Sequence, residues 1–302
     1  ARETFTKLKS IEGLHTKLKE LIVLQLARLD FEAGSFATAI EAYSSLNQQN
    51  SREWGRIQLE RAWAKYYEKD YSKALGILAA LRAPAFSPAT SPEKYILEMI
   101  IYKELCHYDA VEDVAKRFRK KYKKSIARIK QRKPLREDRQ LFNMSVISKD
   151  YQSVANLIDA VRKESDLLTD YGWDYFFVDR MKDHFSKIDR RLRIKTDQVL
   201  EKKAREVAGV LLDAEEQVTF VEYTSRLDKL RVVRQGEGRD YLPEKVPYLS
   251  FNKIYWPVKL KNQSSEFWTE ELDHYKTLIG SRCEIGRASC RVSGWGGGGG
   301  VG

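Results

Sequence analysis

Apolar residues recur at steps of three and four over residues 14–33, 54–69, 71–82, 93–106 and 108–131, the spacing that gathers them on one face of an α-helix. Prolines fall between these stretches and mark their ends: Pro84, Pro88 and Pro92, then Pro134, then Pro243, Pro247 and Pro257. Residues 137–178 predict one or two further helices, carrying Val154, Leu157, Ile158 and Val161, and lead into an aromatic cluster of Tyr171, Trp173, Tyr175, Phe176 and Phe177. From Met181 to Leu230 there is no proline and a single glycine, Gly209. That stretch predicts one helix of roughly 50 residues, about 75 Å if straight. Within it Leu200, Ala204, Val207, Leu211, Ala214, Val218, Val221 and Ser225 alternate steps of four and three, a heptad stripe. Phe185, Ile188, Leu192 and Val199 precede it one position out of phase. The stripe fits either one limb of an antiparallel hairpin within the chain or a homodimeric coiled coil over 185–230. Its Ala and Val content, without a leucine series, favours the first.

Gln235-Gly-Glu-Gly238 ends the long helix, and residues 239–262 bring Tyr241, Tyr248, Phe251, Tyr255 and Trp256 into an irregular or short-stranded segment expected to dock. Ser264 or Ser265 then caps a predicted helix with Phe267, Trp268, Leu272, Tyr275 and Ile279 on its apolar face. The tail differs in kind. Glu284-Ile-Gly-Arg-Ala-Ser-Cys-Arg291 resembles the translation of a sequencing-adapter read, and a glycine run follows. Residues 284–302 are therefore expected to stand outside the fold, as a tag does. At the other end the chain begins at Ala1 within a charged helical stretch, which leaves room for a missing leader.

An internal repeat organises the first third. Phe31-Glu-Ala-Gly-Ser-Phe36-Ala-Thr-Ala39-Ile40 superposes on Tyr66-Tyr-Glu-Lys-Asp-Tyr71-Ser-Lys-Ala74-Leu75 at an offset of 35, which also sets Ala27 on Ala62 and Tyr43 on Leu78. A looser copy, Tyr102 to Val111, follows with Tyr108 37 residues after Tyr71, and a weak echo lies at Ser148–Val154. Small residues let two helices approach closely, and an aromatic at the start of the second packs over the turn. Each such hairpin leaves an apolar face that a neighbour must cover. The order small residue, turn, aromatic, small residue, aromatic resembles tetratricopeptide (TPR) repeats over about residues 20–120, although most of that family's first-helix Trp, Leu and Gly are missing. Residues 254–283 are weakly similar to the closing segment of deltaproteobacterial-type TPR proteins. The resemblance implies a groove that holds a protein segment, lined by Arg28, Glu32, Arg56, Trp63, Tyr67 and Lys103. For Trp63 and Tyr67 a place in the hairpin core is the equal alternative.

Charge adds one feature. The chain carries a net +11, and a net +11 also lies between Lys116 and Arg139 alone, so the remainder is neutral. The cations are Lys116, Arg117, Arg119, Lys120, Lys121, Lys123, Lys124, Arg128, Lys130, Arg132, Lys133, Arg136 and Arg139. Phe118, Tyr122, Ile126 and Ile129 form one stripe through this segment, which predicts an amphipathic helix with its apolar side on the array and its cations outward. Such a face is either simply solvated or attracts nucleic acid, an anionic membrane surface or an acidic protein.

Catalytic and metal signals are missing from the sequence. It contains no phosphate-loop, nucleophile-elbow or HExxH pattern, and its histidines His15, His107, His184 and His274 are scattered. Cys106 and Cys283 belong to no CxxC or Cys/His cluster; a buried free Cys106 is the expectation and a disulfide between the two the alternative. The sequence thus predicts an all-α chain: a TPR-like array with its basic helix over 1–133, a helical region with a long arm over 134–235, an aromatic-rich closing segment over 236–283, and the tail 284–302. The expected function is a non-catalytic scaffold of a bacterial cell-envelope assembly, without cofactor or metal. A polyanion-binding module is the alternative.

Overall fold

The structure, a computed structural model, describes residues 2–11, 13–46, 51–82, 91–168, 175–234, 254–255 and 276–283. Among them the fold is all-α, with a single pair of two-residue strands. A short helix α1 (Arg2–Lys9) precedes three helical hairpins: α2 (Thr16–Glu32) with α3 (Phe36–Ser44), α4 (Ser51–Tyr67) with α5 (Tyr71–Ala80), and α6 (Glu93–Glu104) with α7 (Tyr108–Lys130). Consecutive hairpins touch through α3 against α4 and α5 against α6.

The three hairpins turn in the same way. Gly34, Lys69 and Cys106 each take a left-handed backbone, with φ of 77°, 62° and 56°. In each turn the next residue's N–H reaches back five residues: Ser35 to the Asp30 carbonyl (2.9 Å), Asp70 to Lys65 (3.0 Å), His107 to Tyr102 (2.8 Å). The turn residue itself donates to the carbonyl three back, at Phe31, Tyr66 and Lys103. This is the Schellman closure of a helix C-terminus. Only the first copy uses glycine, so Lys69 and Cys106 hold a conformation that disfavours a Cβ. A fourth such turn ends α7 at Arg132, with φ of 54°.

The small residues sit where the helices cross. Ala27, Ala39, Ala62 and Ala74 are fully buried, and Met99 and Val111 are their buried counterparts in the third hairpin. Along α7, Val111, Val114, Ala115, Phe118, Tyr122 and Ile126 are buried and Ile129 packs at the edge, so the expected stripe faces inward. The basic segment is not one helix to residue 139. After α7 come Pro134 and a 3₁₀ turn (Leu135–Glu137), then α8 (Arg139–Val146), capped by the Asp138 carboxylate on the N–H groups of Gln140 and Leu141.

Helix α9 (Lys149–Leu167) and the 60-residue α10 (Tyr175–Arg234) follow. Their charged pairs Asp150–Lys203 and Arg162–Asp189 run in opposite chain directions, which makes them antiparallel. The C-terminal half of α10 then lies along α6, α7 and α8. It buries Leu200, Ala204, Ala208, Leu211, Ala214, Val218 and Ser225 within the same chain. The helix is longer than the 181–230 stretch by a turn or more at its start, where Tyr175 and Phe176 are largely exposed.

Two expectations are corrected by the closing segment. Residues 276–279 do not continue a helix. Strand β2 (Lys276–Thr277) pairs antiparallel with β1 (Ile254–Tyr255), Ile254 opposite Thr277. Thr277 is buried against α5, and its carbonyl accepts from Ser72 Oγ at 2.7 Å. Cys106 is not a free thiol: it is bonded to Cys283. The Arg282 N–H donates to the Leu105 carbonyl at 3.0 Å beside that bond, and His107 Nε2 donates to the Gly280 carbonyl at 2.8 Å. A free C-terminal chain end has no reason to hold this position, whereas a backbone stitched to the second and third hairpin turns does. The expected cap at Ser264–Ser265, the side chains Phe267 to Tyr275 and the tail 284–302 lie outside the described residues, as do Tyr171 and Trp173.

Two glycines separate turn geometry from helix propensity. Gly34→Ala should lower stability by about 1 kcal/mol, because its φ disfavours a Cβ. Gly209→Ala, in the exposed interior of α10 with open space around a new Cβ, should raise it by about 0.5–1 kcal/mol. Urea unfolding of the two variants measures both.

Candidate interaction surfaces

The six residues proposed for a groove divide into three environments. Arg28 and Arg56 converge on one carboxylate, Glu60: Arg28 makes two bonds of 2.9 Å and Arg56 one of 3.1 Å. This ties the first hairpin to the second across α2 and α4. The same Glu60 charge helps burial push the Tyr43 hydroxyl well above its usual pKa. Glu32 is exposed at the end of α2.

Trp63 and Tyr67 belong to an aromatic ridge over the first two turns. Tyr67 stacks on Phe36 at 4.9 Å between ring centroids, Phe31 meets Phe36 edge-on at 5.4 Å, and Trp63 lies 6.1 Å from Tyr67. Tyr66 and Tyr71 extend the ridge. Burial pushes the Tyr66 hydroxyl up to about 12, with the charge of Glu104 adding to it. Trp63 is half-buried with its indole nitrogen inside, so it takes the core position, while Tyr67 is 49% exposed.

Lys103 stands apart from the other five. Its ammonium donates to Thr224 Oγ1 at 2.9 Å and lies 3.4 Å from the Asp228 carboxylate, both on α10. Asp109–Lys229, Glu112–Arg226, Arg119–Glu222 and Lys130–Glu215 continue the same seam. At the third hairpin the expected groove position is covered by the chain's own helix. The apolar stripe of α10 is legible in the sequence, but neither its partner nor the flanking charges that match it were read from it.

That seam also divides the basic segment. Arg119 and Lys130 face acids of α10, Arg117 binds Glu98, Arg128 binds Glu137 and the Pro134 carbonyl, and Lys116 lies 3.4 Å from Asp113. Lys120, Lys121, Lys123, Lys124, Arg132, Lys133, Arg136 and Arg139 have no acidic partner among the described residues.

A further cluster lies where α5 ends and α6 meets α7, and the sequence reading missed it. Glu98 has a side chain only 4% exposed, and one of its oxygens accepts from both Arg82 and Arg117. One turn earlier Lys94, also buried, donates to the Leu81 carbonyl at 3.0 Å and sits 5.4 Å from the centre of the Tyr95 ring. Lys120 and Lys121 close the cleft. Burial lowers the Lys94 ammonium to about 8, with Lys121 adding repulsion and Glu98 opposing it. Burial also lowers Lys121. The available signal was Glu98 inside the otherwise apolar run Tyr95–Tyr102, four residues after Lys94.

The histidines play local parts. His15 caps α2 through its ring nitrogen, His107 holds the closing segment, and burial lowers its pKa. Among the described residues, no group of three or more His, Cys, Asp or Glu could hold a metal ion, and no helix is long and apolar enough to cross a membrane. What the fold defines is an all-α chain of stacked hairpins. Compared with known proteins, it matches no family model, no curated protein and no solved structure.

Lys94 makes stability depend on pH in a definite direction. Its folded pKa lies below the unfolded 10.5, so above about pH 8 the unfolded chain binds more protons and stability rises with pH. The rise between about pH 7 and 9.5 should be on the order of 2 kcal/mol, before the buried tyrosines reverse the trend above their unfolded pKa of 10.0. Urea midpoints across that range should show the increment in the wild type and lose most of it in Lys94→Met.

Proposed function

We propose that the chain is a non-catalytic interaction scaffold, a TPR-like hairpin array that holds a protein segment over its first two hairpins. The observation that carries this reading is the aromatic ridge at the turns of those hairpins, with Tyr67 half-exposed and stacked on Phe36. Aromatic and arginine side chains anchor interfaces at low entropic cost. Arg56 lies on the same side of α4 about three turns before Tyr67, held by Glu60 yet with its side chain 66% exposed. Helix α10 acts as the far limit of that surface, since it takes up the third hairpin. A setting in a cell-envelope assembly accords with the Cys106–Cys283 bond, because disulfides persist in oxidising compartments. With the α10 stripe packed within the chain, self-association through 185–230 would have to use other faces of that helix.

Pull-down of the partner from native extract, followed by titration with the purified partner, tests this reading. Tyr67→Ala and Arg56→Ala should each weaken binding by about tenfold or more while leaving the thermal unfolding profile in place. Unchanged affinity in both variants would overturn the assignment of this face.

The second reading is a polyanion-binding face, favoured by the cations left without acidic partners in and after α7. A counterion-release interaction weakens as salt rises. Lys123→Gln/Lys124→Gln/Lys133→Gln should leave heparin at distinctly lower salt than the wild type. Identical elution of the two proteins rejects the polyanion reading.

A further inference from the structure

We propose that the cleft formed by the end of α5, the first half of α6 and the middle of α7 is a binding site for a phosphate dianion, either free or as the phosphoryl group of a ligand. This inference does not rest on the scaffold reading or on the basic face, and it concerns an open cleft of about 480 Å³.

The charge balance carries the argument. Arg82, Lys94, Arg117, Lys120 and Lys121 surround the cleft, and Glu98 is the acid that answers them. One carboxylate oxygen of Glu98 already serves both arginines. A guanidinium has five N–H donors in a fixed fork, so most of the donor capacity of the pair remains. Buried cations are ordinarily paired with an acid. Lys94 is 5% exposed and its ammonium donates to a neutral carbonyl, leaving two donors, while Lys121 lies over the Tyr122 ring. Burial lowers the proton affinity of both lysines, and the charge of Lys121 adds to the effect at Lys94.

The kind of ligand follows from the number and type of donors. A monocarboxylate would offset one charge and leave most of the cluster repelling itself. A tetrahedral dianion offers several oxygens in different directions, which suits two guanidinium forks and a lysine approaching from separate helices. The cleft holds a phosphoryl group with room for a small substituent. Its cations come from three helices and face one cleft, which distinguishes it from the outer cations that a polyanion would follow.

Isothermal titration of the full chain at low ionic strength tests the site, with inorganic phosphate, glycerol phosphate and acetate as separate titrants. Saturable binding with one site per chain is expected for phosphate and absent for acetate. Saturation by inorganic phosphate alone assigns the free ion, saturation by both phosphates assigns a phosphoryl-bearing ligand, and either supports the proposal. Lys94→Met and Lys121→Gln should each weaken binding by about tenfold or more, the loss of one charge-assisted bond. Lys17→Gln, which removes an exposed cation from α2, should not change it. The ε-carbon NMR signal of Lys94 gives a second readout: bound phosphate should raise the pH at which it titrates. Acetate binding as tight as phosphate, undiminished affinity in both cleft variants, or no saturable phosphate binding each overturns the proposal.

Discussion

A helical hairpin has two apolar faces, and a stack of hairpins always ends with one of them uncovered. In this chain the last face belongs to α6 and α7, and α10 covers it. Leu211, Ala214 and Val218 supply the apolar contact. The flanking ion pairs, from Lys103–Asp228 to Lys130–Glu215, set the register. Exposed pairs of this kind add little stability singly, but apolar burial has no direction and charges do. A shift of α10 by one turn would set several of them against the wrong neighbours. Helices α8 and α9 are placed by that seam: α9 because it packs on α10, and α8 because it is wedged between α10 and the 3₁₀ turn.

The seam also accounts for what the basic segment is. Part of its charge serves the fold, since Arg119 and Lys130 hold α10 and Arg117 is clamped with Arg82 on a buried carboxylate. The clamp is costly to disturb: leaving buried charges without their partner typically costs about 3–5 kcal/mol. The remaining cations form two groups with different surroundings, the cleft around Lys94 and the outer residues from Lys123 to Arg139. A net charge counted along the chain cannot separate these populations, because neighbouring residues of one helix face different partners.

Local periodicity made the helices legible, along with the small-residue crossings at Ala27, Ala39, Ala62 and Ala74 and the inward stripe of α7. These depend on residues a turn or two apart, and the chain states them directly. The stripe of α10 was equally visible, but a stripe says that a face is apolar and not what it meets. The groove positions show the same boundary. Arg28 and Arg56 meet at Glu60 and Tyr67 joins the aromatic ridge, whereas Lys103 has been claimed by a helix 121 residues away. The closing segment was read as helix from its spaced aromatics. Around Thr277 pairing with Ile254 and burial against α5 override that local preference. The Cys106–Cys283 bond joins positions 177 apart, a distance over which spacing carries no information. Glu98 and Lys94 were passed over because a charge within an apolar run looks like an exception until the residues facing it are known.

That disulfide has a topological consequence. It turns the backbone from Cys106 to Cys283 into a closed covalent ring, with α1, the first two hairpins and α6 hanging from it. The ring contains α7, α8, α9 and the whole of α10. A single peptide-bond break anywhere within it changes the connectivity of the chain without freeing any part of it. The two new ends stay tethered through sulfur, and the molecule keeps its mass until the bond is reduced. The long helix lies wholly inside that ring, so a cut anywhere along its 60 residues leaves both pieces joined.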